Sequence, residues 1–72
     1  MQTLEFQLEG DYIELHQLLK ATGIVDSGGA GKARVAAGEV SVDGEQELRK
    51  TRKVRAGQTV TLQDVQIVVV AG

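Results

Sequence analysis

The sequence contains no cysteine and no tryptophan, one histidine, and only two aromatic residues, Phe6 and Tyr12. Without thiols there can be no disulfide framework, no thiolate metal site and no cysteine nucleophile, and the chain suits a reducing compartment. His16 has no second imidazole to join it in a metal site or a catalytic triad. Two rings cannot build the platform of two or three exposed aromatics with which many modules stack single-stranded bases. No apolar run approaches the ~20 residues of a membrane span. Met1 leads into Gln-Thr-Leu-Glu-Phe, without the basic and apolar regions of a secretory leader. A cytoplasmic monomer with no membrane association is expected. Its 72 residues form one domain, which buries only about 60% of the surface of its unfolded chain.

What the sequence has is charge concentrated in one place. Arg49-Lys50-Thr51-Arg52-Lys53-Val54-Arg55 holds five of the eight Lys and Arg residues and no acid, while the formal net charge is −2. A mildly acidic chain with +5 gathered in seven residues presents one anion-facing edge, because local clustering sets the field that steers a polyanion. A solvated basic loop on an ordinary domain is the plainer alternative.

Leu4, Phe6 and Leu8 alternate with Thr3, Glu5 and Gln7 as in a half-buried strand. Leu15, Leu18, Leu19 and Thr22 then fall on one helical face. Asp11 is the expected N-cap of this first helix, with Glu14 completing a capping-box-like pair and Gly23 at its end. Tyr12, His16 and Lys20 form a second stripe, read as a solvated flank with His16 at the surface or boundary. A second helix is expected to start at the N-cap Ser27 and run to about Ala37. Gly28, Gly29 and Gly31 each cost it roughly 1 kcal/mol against alanine in a helix interior. Either close packing on the first helix or free N–H groups at an anion-binding helix start can explain them. Ser-Gly-Gly-x-Gly-Lys is not a P-loop: the glycine spacing is too short, Ala33 follows Lys32, and a helix rather than a strand precedes it.

Gly38 ends the second helix, and Val40-Ser41-Val42 leads into Asp43-Gly44, the strongest hairpin signal in the chain. A regular strand through the basic stretch would set Lys50 and Arg52 on the face of Val54, and burying unpaired cations there is costly. An irregular arm that returns to the core at Val54 is expected instead. Its exposed charges should matter little to folding, so exchanging Arg49 and Arg52 for glutamate should remove anion binding and leave the thermal melt nearly unchanged. Thr59-Val60-Thr61-Leu62 and Val65 to Val70 read as the closing strands. The near-continuous apolar character of the last suggests a central strand, paired with the N-terminal strand so that neither is left as an edge.

The order of these parts resembles the S4 RNA-binding domain family, and within it the small free-standing bacterial members. The resemblance is carried by Leu18-Leu19-Lys20, Asp26-Ser27-Gly28-Gly29 with Lys32, Gly38 through Gly44, Arg49-Lys50-x-Arg52-Lys53, and Ala56-Gly57-Gln58-Thr59-Val60. It covers residues 12 to 62 and is most specific from Ser27 through Gly44. It implies an α+β fold with an αL motif: two packed helices against a small, mostly antiparallel sheet, here with an added N-terminal strand. It also implies structured RNA, of ribosomal or transfer type, held between the second helix and the turn and loop region. Carried over residue by residue, Ser27, Gly28, Lys32 and Arg34 form the helix side. Gly44, Arg49, Lys50, Arg52, Lys53 and Arg55 form the loop side, with Lys20 and Asp43 at the periphery. Gly28 stands where the larger family usually has arginine, and Asp43 where it usually has asparagine. The residues alone lead the same way: cations without stacking rings suit phosphate and 2′-hydroxyl contacts that read RNA shape.

Catalysis is not expected, because no titratable groups converge on a pocket in so short a chain, and no metal or cofactor is implied. Glu45 and Glu47 read as charge balance for the arm. The competing reading is a protein-interaction or carrier module, using the basic arm or the C-terminal Gly72 in the manner of ubiquitin-like sulfur carriers. Those carriers open with a hairpin, whereas this chain has two helices before its first hairpin.

Overall fold

The N-terminal alternation is realised as a strand, β1 (Gln2–Gln7), in which Leu4 and Phe6 are half-buried and the other residues face solvent. The computed structural model describes residues 1–72. After β1 come β2 (Ile13–Glu14), α1 (Leu15–Ala21), α2 (Gly28–Ala36), β3 (Val40–Val42), β4 (Glu45–Gln46), β5 (Lys53–Val54), β6 (Thr59–Leu62) and β7 (Val65–Val70). Five strands form one sheet in the order β1-β7-β6-β3-β4, and β2 pairs with β5 in a second, two-stranded sheet. The pairings are antiparallel except β1 with β7, where Leu4 lies opposite Ile67 and Phe6 opposite Val69. The last strand is thus interior, as its apolar run suggested. β1 is nevertheless an edge, and its exposed Gln2, Thr3, Glu5 and Gln7 make that edge polar.

The helices pack against this sheet through a core of 13 residues. Leu15, Leu18 and Leu19 of α1, Val35 of α2, and Val40, Val54, Val60, Ile67 and Val69 from the strands are all fully buried. An isolated helix as short as the seven-residue α1 is unstable in water, so this burial holds it in place. Thr22 finishes its apolar face and returns its hydroxyl to the Leu18 and Leu19 carbonyls.

The start of α1 departs from expectation. Asp11 is not its N-cap: the helix begins at Leu15, and Glu14 occupies the cap position without a side-chain cap bond. Tertiary pairing overrides the local signal. Ile13 and Glu14 are drawn into the ladder opposite Val54 and Lys53, and the first helical N–H groups donate to the arm instead, Leu15 to the Arg52 carbonyl at 2.9 Å and His16 to the Lys50 carbonyl at 3.0 Å. Tyr12 consequently precedes the helix, and only His16 and Lys20 of the expected stripe lie on it. His16 is buried rather than at the surface, with Nε2 donating to Glu14 Oε1 at 3.0 Å and Nδ1 left without a partner.

The second helix forms as its cap predicts. Ser27 Oγ accepts from the Ala30 N–H at 3.1 Å. Close packing explains one of the three glycines: a Cβ at Gly31 would stand 2.8 Å from the His16 carbonyl oxygen, whereas one at Gly28 would meet nothing within 4 Å. Gly31 is therefore the point where the backbones of α1 and α2 come closest to touching. The β3–β4 hairpin turns at Asp43 and Gly44, with φ of 51° and 85°, the pair of positive values that a type I′ turn requires.

Candidate nucleic-acid interface

The basic arm is irregular from Glu47 to Arg52 and joins the core at Val54, which is fully buried. Two kinds of tie hold it. The first is the pair of backbone bonds to the start of α1. The second is Glu47, which is only 7% exposed. Its backbone N–H donates to the Val40 carbonyl at 2.9 Å. Its carboxylate accepts from the Arg49 N–H at 3.0 Å, from Arg49 Nε at 3.2 Å and Nη2 at 3.3 Å, and from Arg52 Nη1 at 2.7 Å. Hydrogen bonds from the Arg49 side chain, then the Arg52 side chain, then the Arg49 backbone hold its pKa down from the ordinary 4.5 to about 2, against the opposing effect of burial.

This arrangement revises the charge-reversal expectation. Arg49 is largely exposed, but the Arg52 side chain is only 29% exposed and both share one buried carboxylate. Exchanging both for glutamate would set carboxylates against Glu47, so the fold as well as the surface charge would suffer. Glu47, read from the sequence as charge balance, organises the arm, while its neighbour Glu45 is exposed on β4.

Lys50, Lys53 and Arg55 have no carboxylate partner, and all three are exposed. Lys53 Nζ lies 5.0 Å and the Arg55 guanidinium carbon 5.6 Å from the centroid of the Tyr12 ring. The helix side meets this group through His16. Its N–H binds the Lys50 carbonyl, and its own carbonyl abuts Gly31, next to the exposed and unpaired Lys32. Lys50 and Lys53 thus belong to backbone that pairs with the start of α1, Arg55 lies over Tyr12 just before it, and Lys32 follows the Gly31 contact in the chain.

Arg34 stands apart. At 100° per residue it projects from α2 about 160° away from Lys32, on the other flank of the buried stripe. It pairs with Glu39 at 2.8 Å and lines a depression with Thr22, Ile24 and Asp64. Ser27 is committed to capping, while Gly28 beside it is open to approach. Asp43 is a structural acceptor: its Oδ1 takes the Thr59 N–H at 2.9 Å and its Oδ2 the Gln58 amide at 3.3 Å. Gln58 in turn accepts from the Arg55 N–H at 2.8 Å, which links the Asp43-Gly44 turn to the arm's end. Lys20 is exposed in the last turn of α1.

No three His, Asp or Glu side chains converge on a potential metal position, and no helix is long and apolar enough to cross a membrane. What the site offers is an array of exposed cations on an anchored backbone, suited to a polyanion contacted at several phosphates.

A family model of the S4 domain matches residues 6–70, and the chain belongs to that family. Among its relatives, the chain is 45% identical over 60 residues to YbcJ of Escherichia coli (strain K12), an alignment covering 83% of this chain and 86% of that protein. The same values hold for YbcJ of Shigella flexneri. The solution structure of E. coli YbcJ superposes with a TM-score of 0.69 at 41% identity, covering 94% of this chain and 90% of that one. It is described as revealing an αL motif involved in RNA binding. The expected α+β architecture, two helices on a mostly antiparallel sheet with an added N-terminal strand, is thus the observed one.

Proposed function

We propose that this chain is a non-catalytic RNA-binding protein of the cytoplasm. As a monomer, it holds a structured RNA, of ribosomal or transfer type, by its phosphates and shape. The observation that carries this reading is that four exposed cations without carboxylate partners, Lys32 from α2 and Lys50, Lys53 and Arg55 from the arm, belong to segments that meet at or beside the start of α1. The arm is anchored before any ligand arrives, so little ordering entropy opposes binding. The description of YbcJ's αL motif supports the same assignment. Arg49, with its side chain 73% exposed, can contribute a further contact while remaining held by Glu47.

If four or five of these cations each neutralise a phosphate, log affinity falls against log salt with a slope of roughly −3 to −4. The test is a salt titration with unfractionated transfer RNA and with ribosomal RNA, comparing wild type with the double variant Lys32→Glu, Lys50→Glu. Both side chains are exposed and unpaired, so the variant should melt like wild type, bind much more weakly, and show a slope shallower by about 2. A slope near zero, or equal binding by the variant, would refute the electrostatic reading.

A further inference from the structure

The cationic face carries one aromatic ring whose exposure folding does not explain. Tyr12 is 42% exposed. Its neighbours Phe6 and Ile13 pack against the core, but Tyr12 does not. Its hydroxyl has no hydrogen-bond partner within the chain, and the Lys53 ammonium and Arg55 guanidinium lie over its ring in cation–π geometry. Beside it runs a groove between the end of β1 and the segment leading into β2. Phe6, Leu8, Tyr12 and Ile13 form its apolar lining, and Gln7 and Glu9 its polar one.

We propose that this groove is a subsite for one unpaired nucleobase of the bound RNA, stacked on Tyr12 with its phosphate held by Lys53 and Arg55. The inference rests on the RNA-binding reading and extends it from phosphate contact to base contact. A base that displaces the Lys53 and Arg55 side chains from over the ring can cover its π-face, and the displaced cations then supply the anion contact that each nucleotide brings. Gln7 and Glu9 on the groove's polar lining carry acceptor oxygens for a base's exocyclic amino group. In the free protein Lys53 and Arg55 occupy the space over the ring, so binding moves them from the ring to the phosphate of the base that replaces them. A single ring cannot hold a run of stacked bases, so the subsite suits one flipped-out or loop base within a folded RNA.

Tyr12 is the one tyrosine and there is no tryptophan, so intrinsic fluorescence reports this ring alone. Two labelled hairpin RNAs with identical stems serve as probes, one with a loop of five adenosines and the other with five abasic residues. Affinity is read by anisotropy at low salt. The adenosine loop should bind roughly tenfold more tightly and quench Tyr12 emission, whereas the abasic loop binds through its phosphates with little quenching. Tyr12→Ala should abolish the preference yet still bind both hairpins, and Tyr12→Phe should keep it. Equal affinity and equal quenching for the two loops would overturn the subsite and leave the RNA-binding reading intact. Failure of the wild type to bind either hairpin would overturn both.

Discussion

Replacing Glu47 with glutamine should weaken RNA binding, although it removes a negative charge from the middle of a cationic surface. The carboxylate accepts four hydrogen bonds from Arg49 and Arg52 and is nearly buried. Glutamine keeps one acceptor oxygen but turns an NH2 group towards guanidinium donors. The contacts of Arg49, whose side chain is 73% exposed, are screened by water and count for little. The 2.7 Å bond from the less exposed Arg52 and the backbone bond from Arg49 carry most of the loss. Hydrogen bonds to a charged group contribute about 1.5–3 kcal/mol net, so the variant should lose roughly 2–3 kcal/mol. In a domain of this size that lowers the melting temperature by roughly 10–20 °C.

The pH dependence gives an independent check. The folded carboxyl titrates at about 2 rather than 4.5, so between these values the unfolded chain binds more protons than the folded one. Its stabilisation is fully present above pH 5 and is lost as pH falls towards 2, amounting to on the order of 2 kcal/mol once screening at Arg49 is allowed for. Circular-dichroism melts from pH 7 to pH 2 should therefore show wild type and Glu47→Gln converging in acid. Under conditions where both are folded, the freed arm must be ordered by the ligand, and affinity should fall roughly fivefold. A variant as stable as wild type that binds RNA more tightly would refute this account and make Glu47 a mere repulsive charge.

Other substitutions test the supports around the site. Gly31→Ala gains helix propensity but forces α1 and α2 apart, because its Cβ would meet the His16 carbonyl at 2.8 Å; urea denaturation should show a net loss of about 1–3 kcal/mol, while Gly28→Ala in open space should be neutral within about 0.5 kcal/mol. Ser27→Ala removes the cap bond to Ala30 and should cost about 1 kcal/mol in the same assay. Asp43→Asn keeps an acceptor for the Thr59 N–H and tolerates the positive φ, so its melt should match wild type, whereas Asp43→Val should unfold several degrees earlier. Deleting Gly72 should leave RNA affinity unchanged; its loss on deletion would favour the carrier reading.

Much of the fold could be read where local chemistry and tertiary structure agree. Ser27 caps α2, Leu15, Leu18 and Leu19 bury one face, Asp43-Gly44 turns a hairpin, and Val54 pulls the arm back to the core. The reading failed at Asp11 because the amide acceptors at the start of α1 come from Lys50 and Arg52, more than 30 residues away in sequence, and no local cap signal encodes that. It failed at Glu47 for a related reason. Glu45 and Glu47 look alike beside five cations, and only the bond from the Glu47 N–H to the Val40 carbonyl, with burial, separates the two. Arg34 shares a helix with Lys32 but not a flank, a difference that helical geometry makes legible once the buried stripe of Gly31 and Val35 is known. Tyr12 was hidden by its place in an apparent helical stripe that stops short of it.

The most direct test of the central claim is a crosslinking pull-down from the cell, with wild type beside Lys32→Glu, Lys50→Glu, followed by sequencing of the bound RNA. The account predicts one or a few structured RNA species enriched by the wild type and lost with the variant, both proteins being equally folded. No RNA enrichment by the wild type, or the same RNA recovered undiminished with the variant, would contradict it.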